Sequence, residues 1–242
     1  MRSNALVFFS LFSYHSRVIC TKFAKKSEKL FWRSTIISAI STIMASNFGE
    51  LVLLLGDHHL PSRATAIPEQ FQRMLVPHKM QHVICTGNIE SSQEYERLRE
   101  LVGGGSNVHC VAGDYDFVQQ QYNLQQQQLD DEKVVQLGQF RIGIIGGHQV
   151  VPLGDLSALA MTRRRMNVDV LVCGWRRKEG VVEHDGGYYI FPGSITGAYS
   201  SHSTTSINPS FILLAVQGSN MVCYVYELKD GEVDVSKIEF AK

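Results

Sequence analysis

The sequence predicts an α/β domain built as a two-sheet β-sandwich flanked by helices. Residues 51–114 alternate strand, helix, strand, helix, strand, an order that implies parallel strands joined by crossover helices. From residue 132 onward the pattern changes to closely spaced strands interrupted by one helix. Several of the strand segments, VDVLVC (168–173) among them, are continuous runs of aliphatic and β-branched residues, which suit strands in a sheet interior. A chain of 242 residues can bury such a core as one domain, or as one domain with a tail.

The elements follow in order. LVLLL (51–55) is a short apolar strand closed by Gly56. IPEQFQRMLV (67–76) places Phe71, Met74 and Leu75 at helical spacing after Pro68, a residue favoured at helix starts. HVICTG (82–87) is the second strand, SSQEYERLRELV (91–102) the second helix and NVHCVAGD (107–114) the third strand. QQQYNLQQQQLDDE (119–132) lacks apolar periodicity and reads as a solvated loop. VVQLG (134–138) and FRIGII (140–145) form adjacent strands, and GDLSALAMTRRR (154–165) is a helix. VDVLVCG, VVEH, YYIFPGS, FILLAV, MVCYVYEL and VDVSKIEF complete the strands, with turns at Asp185-Gly186-Gly187 and Asp230-Gly231.

Charge separates the N-terminal segment from the body. Lys+Arg and Asp+Glu each number 23, yet residues 1–48 hold seven of the basic residues and a single acid, Glu28. The body keeps 16 basic and 22 acidic residues and is a poor candidate for binding nucleic acid, where affinity rests on neutralising phosphates. Residues 1–48 read as a basic N-terminal extension and 49–242 as the folded domain. The apolar ALVFFSLF after Arg2 is short and lacks a nearby small-x-small cleavage site; the basic, serine-containing stretch also suits an organelle transit peptide. A start at Met44 is the expectation, since a compact domain needs only a few residues before its first strand. No run reaches the roughly 18 apolar residues of a membrane-spanning helix. Five cysteines, Cys20, Cys85, Cys110, Cys173 and Cys223, include no C-x-x-C pair, and four sit in apolar strand patterns, as free buried thiols do.

Chemistry concentrates at strand ends. Gly56-Asp57-His58-His59, Gly87-Asn88, Gly113-Asp114-Tyr115-Asp116 and Gly146-Gly147-His148 each follow a strand. In α/β sheets ligands gather at the carboxyl ends of strands, and glycine lets the chain turn there. Carboxylate, amide and imidazole groups from separate strands are what a two-metal hydrolase uses to hold its ions.

This series of strand ends resembles the calcineurin-like metallophosphoesterases, whose fold has α/β/β/α layers. LLLGDHHLPSR, KMQHVICTGN, GQFRIGIIGGHQVVPLGD, FPGSITGAYSS, NPSFILL and YVYELKDGEV are similar to the branch of that family that serves as the small subunit of the endosomal retromer complex. The resemblance covers residues 51–240. By this carry-over the remaining metal ligands are Asp57, His59, Asn88 and Asp114. His59 is preferred over its neighbour His58 because adjacent residues of an extended chain face opposite ways. The family's G-H-x-H is replaced by Gly174-Trp175-Arg176-Arg177, Gly146 stands where a further histidine ligand belongs, and Tyr115 replaces the catalytic histidine. Arginine has no lone pair to give and repels a metal ion. Arg176 or Arg177 is therefore expected to pair with Asp57 and Asp114 in place of an ion, or else to point to solvent. His148 lies beside the lost ligand position and reads as structural.

With the chemistry depleted, surfaces carry the implied function. The resemblance places Val151, Pro152 and Leu153, with Trp175 and Arg177, at a rim that meets the helical-solenoid subunit of retromer. It also implies a second apolar patch, Leu51, Met74, Leu213, Tyr224 and Tyr226, for regulators with Pro-Leu loops; core packing explains the same residues. The expected function is a non-catalytic scaffold subunit in endosome-to-Golgi and recycling transport of membrane cargo. It would work in the cytoplasm and at the endosome membrane, peripherally through the complex, and without a cofactor beyond a weak single divalent ion. The alternative is a phosphoesterase using a reduced one-metal site.

Overall fold

The computed structural model describes residues 49–116, 129–175, 180–199 and 207–242. The chain divides into two units, Met1–Asn47 and Phe48–Lys242. The basic segment, most of the glutamine-rich stretch, Arg176 and Arg177 lie outside the described residues.

Strand β1 (Glu50–Leu55) occupies an inner position in a sheet and has its two faces in different cores. Val52 and Leu54 join the apolar cluster shared by both sheets, while Leu53 and Leu55 join the one that Phe71, Leu98 and Leu101 cover. Burial on both faces leaves no position for a polar side chain, hence the unbroken LVLLL. β2 (His82–Cys85) pairs parallel with β1, and β3 (Val108–Cys110) parallel with β2. β9 (Ser210–Gln217), β10 (Asn220–Lys229) and β11 (Glu232–Ala241) extend the other side as an antiparallel meander, giving the order β11-β10-β9-β1-β2-β3.

The second sheet has the order β4-β5-β6-β8-β7, from β4 (Glu132–Leu137), β5 (Phe140–Ile145), β6 (Val170–Cys173), β7 (Gly180–His184) and β8 (Gly187–Phe191). Its centre is parallel and each edge strand is antiparallel. Three helices complete the described elements: α1 (Glu69–Gln72), α2 (Ser92–Leu101) and α3 (Leu156–Met166). Phe71, Leu98 and Leu101 of α1 and α2 seal the first sheet, and Leu159, Ala160 and Met166 of α3 seal the second. The layers are therefore α/β/β/α, as the alternation of elements predicts.

Local sequence explains the helix limits. Ser91 Oγ accepts a hydrogen bond from Glu94 N–H (3.4 Å) at the start of α2, and Asp155 accepts one from Ala158 N–H (2.8 Å) at the start of α3. Asn167 closes α3 in the left-handed conformation, φ 52°. The helix expected over 67–76 is only one turn, Glu69–Gln72. Pro77 disfavours helical geometry at Val76, and Met74 and Leu75 both donate back to the Phe71 carbonyl as the turn tightens and ends. Arg163 donates to Tyr189 Oη (3.1 Å) and to the Val168 and Asp185 carbonyls, while Arg164 pairs with Asp185 and Arg165 with Glu132. Cys85, Cys110, Cys173 and Cys223 are free and buried; burial pushes the Cys173 and Cys223 thiols up to about 12.

Candidate functional site

The strand ends of both sheets meet at one place. Asp57, just past β1, forms a parallel bridge with Ser194, just past β8. Ser194 Oγ donates to the Asp57 carbonyl (3.0 Å), Ile195 N–H donates to the same oxygen (3.2 Å), and Thr196 Oγ1 donates to the His58 carbonyl (2.8 Å). Gly56 makes this approach possible, because a Cβ there would lie 1.7 Å from the Gly193 carbonyl oxygen.

Three of the four sequence-predicted ligands form a hydrogen-bonded group. The Asn88 side-chain NH2 donates to Asp57 Oδ1 (2.9 Å) and to Asp114 Oδ1 (3.1 Å), while its Oδ1 accepts from Tyr115 N–H (3.0 Å). That last bond fixes which way the amide faces. The Asp57 carboxyl is raised to about 6, chiefly by burial, with His59 and the Asn88 hydrogen bond opposing and the Asp114 and Asp116 charges adding. His59, the fourth, is buried and turned to a different set of partners. Its Nδ1 is 2.7 Å from Glu90 Oε1, and Arg63 Nη1 approaches its Nε2 at 3.4 Å. Glu90 also accepts from Ser62 Oγ (2.8 Å) and Ser62 N–H (3.3 Å). His58 turns away, buried beside Cys85 with Nδ1 3.0 Å from the Gly56 carbonyl.

Asp116 holds the backbone beneath these groups. It accepts from the N–H groups of Asn88, Gly113 (3.0 Å) and Glu90 (3.2 Å), and burial pushes its carboxyl up while those bonds pull it down. His59, Asn88 and Glu90 have positive φ of 49°, 56° and 64°, conformations retained where surrounding contacts over-determine them. Glu90 and Arg63 are the site residues that sequence reading missed, and Asp116, noted within its strand-end motif, was given no role there. Glu90 sits two residues after Asn88, and that proximity was its one available signal.

Two glycines past β5 and β6 sit where a side chain does not fit. A Cβ on Gly146 would fall 2.6 Å from the Ala112 carbonyl oxygen and 2.9 Å from His148 Nδ1, so the His148 ring takes the room a side chain there would need. A Cβ on Gly174 would lie 2.8 Å from Thr86 Oγ1. Trp175 is half-buried against the cluster beneath α3. The expected pairing of Arg176 or Arg177 with Asp57 lies outside the described residues. Among the described residues no group of three or more His, Cys, Asp or Glu side chains is placed to hold a metal ion. Asn88 presents nitrogen rather than oxygen to the two aspartates, and His59 Nε2 faces a guanidinium. This donor set does not fit a two-ion centre.

The two expected surfaces differ. Val151 is 80% exposed and Leu153 44%, with Pro152 exposed between them, on the loop that follows β5. The second patch comes together on the outer face of the first sheet, but Leu213 and Tyr226 are buried there and Tyr226 stacks on Phe211 at 4.6 Å. Leu51, Met74 and Tyr224 are half-buried in the same cluster. Core packing thus claims two of the five residues outright. No helix among the described residues is long and apolar enough to cross a membrane.

Two mixed sheets with an Asp, His, Asn, Asp series at their strand ends define the calcineurin-like phosphoesterase class, and the model of the Calcineurin-like phosphoesterase superfamily domain matches residues 51–219. Vacuolar protein sorting-associated protein 29 of Schizosaccharomyces pombe is 36% identical over 195 residues, 79% of this chain and 98% of that protein. Among solved structures, Vacuolar Protein Sorting 29 of Cryptosporidium parvum is 37% identical with a TM-score of 0.73, covering 81% of this chain and 100% of that one. Wild-type Vps29 of Entamoeba histolytica, crystallised with Zn2+, is 40% identical with a TM-score of 0.69, covering 78% and 98%. The chain belongs to the calcineurin-like phosphoesterase superfamily and, within it, to the vacuolar protein sorting-associated protein 29 family.

Proposed function

We propose that this chain is a non-catalytic scaffold subunit of retromer, holding the helical-solenoid subunit against the rim of its former metal centre during retrieval of membrane cargo from endosomes. The observation that carries the reading is the pairing of an inward-bonded centre with an outward-facing apolar loop. Asp57, Asn88 and Asp114 are hydrogen-bonded to one another, whereas Val151, Pro152 and Leu153 stand exposed on the loop that follows β5. An apolar cluster at the edge of a rigid surface is the usual mark of a protein contact. The half-buried Trp175 adds an aromatic side chain of the kind preferred as an anchor. Leu51, Met74 and Tyr224 leave a smaller apolar face for regulators with Pro-Leu loops. Membership in the Vps29 family supports a sorting role over a hydrolytic one. On this reading the protein works in the cytoplasm and reaches the endosome membrane only through the complex.

The test is co-elution of the full chain with the retromer solenoid subunit of its own organism, for wild type and Val151→Asp. Val151 is exposed, so the variant should keep its fold, and an aspartate buried without a partner at the interface should cost several kcal/mol and release the complex. Wild type that elutes alone, or a variant that binds equally well, contradicts the proposal. A generic phosphodiester with added manganese should show no turnover that Asp57→Ala removes.

A further inference from the structure

Asp57 and Asp114 bond to Asn88, and the buried Glu90 bonds to His59; a buried carboxylate needs a cation or a dense set of donors close by. An arginine four residues beyond His59 reaches this group through the imidazole. Arg63 Nη1 is directed at His59 Nε2 (3.4 Å) and donates to the Tyr199 carbonyl (3.1 Å), and its guanidinium carbon lies 5.2 Å from the centroid of the Tyr115 ring. His59 and Tyr115 also meet edge to face, with centroids 5.8 Å apart. We infer that Arg63 is the resident cation of this centre: it faces the imidazole nitrogen otherwise open to a divalent metal ion, and it ties three segments of the rim together in an ion's place.

The proton positions follow from the partners. A guanidinium can only donate, so in the neutral ring that faces Arg63 the bare nitrogen is Nε2, and Nδ1 carries the proton given to Glu90. A carboxylate on one ring nitrogen is the device by which proteins orient a metal-ligating histidine. Here the oriented lone pair meets an obligate cation that an incoming ion must expel. Asn88 gives that ion no help, because turning its oxygen inward breaks the bond from Tyr115 N–H and both bonds to the aspartates. Arg63 is exposed, so replacing it leaves the core intact.

The experiment is equilibrium dialysis of the full chain against Zn2+ alone, for wild type, His59→Ala, Arg63→Met and Arg63→Met/His59→Ala. Wild type and His59→Ala are expected to take up zinc equally, with no contribution from His59. Arg63→Met should gain zinc affinity, by about ten- to hundredfold if the guanidinium tunes His59 as strongly as outer-shell partners tune metal ligands. The added His59→Ala should cancel that gain. Wild type that loses zinc on His59→Ala overturns the inference, and so does Arg63→Met with unchanged affinity. If Arg63→Met fails to fold, the imidazole 15N spectrum of wild type decides: a bare Nε2 on His59 supports the inference and a protonated one contradicts it. No partner enters these measurements, so their failure is distinguishable from failure of the retromer reading.

Discussion

Asp116 anchors two strand ends by accepting the N–H groups of Asn88, Glu90 and Gly113 from a buried position. Its truncation strands three donors that water reaches poorly. Asp116→Ala is expected to lower the unfolding free energy by roughly 3 kcal/mol in a denaturant titration. A loss below about 0.5 kcal/mol, the level of an ordinary surface change, would show that those bonds hold nothing in place. At this scale the sequence was partly legible. Asp57, Asn88 and Asp114 follow glycines at strand ends, a local signature. Glu90 reaches His59 across 31 positions, and Arg63 joins Tyr199 across 136, so their roles exist only once the chain has folded. His59 was read as a ligand from its type and place, but the guanidinium facing it has no signature along the chain.

Elements show the same division. Continuous apolar runs were readable as strands because β1, β6 and β9 lie inside sheets that are covered on both faces. The single turn of α1 was not readable, since Phe71, Met74 and Leu75 have the spacing of a helix whether they form one or simply lie on the sheet. The β2–β3 pair carries a pH dependence of its own. His82 Nδ1 and His109 Nε2 are 3.2 Å apart in stacked rings, and burial, then Lys133, then His82 lower His109 from 6.5 to about 4. A histidine held neutral in the fold is protonated first in the unfolded chain. Between pH 6.5 and 4 the unfolded state binds more protons, and stability falls as pH falls. Allowing for partial exposure, this should be about 1–2 kcal/mol. His109→Asn is expected to remove that part of the acid loss in unfolding curves at pH 7 and pH 4; equal slopes for variant and wild type would contradict the assignment.

In the whole molecule, the two sheets bring the ends of β1 and β8 together, and Asp57, Asn88 and Asp114 bond to one another there. Asn88 bridges the aspartates, Arg63 faces His59, and the spaces beside Gly146 and Gly174 are closed. Exposed on the loop that follows β5 are Gln149, Val151, Pro152, Leu153 and Asp155. The most direct test is hydrogen–deuterium exchange of the full chain, alone and with the retromer solenoid subunit bound. Slowed exchange over residues 147–155 and around Trp175, with the outer face of β10 and β11 unchanged, is the predicted result. Protection confined to β10 and β11, or no protection anywhere, would contradict the placement of the interface at the rim.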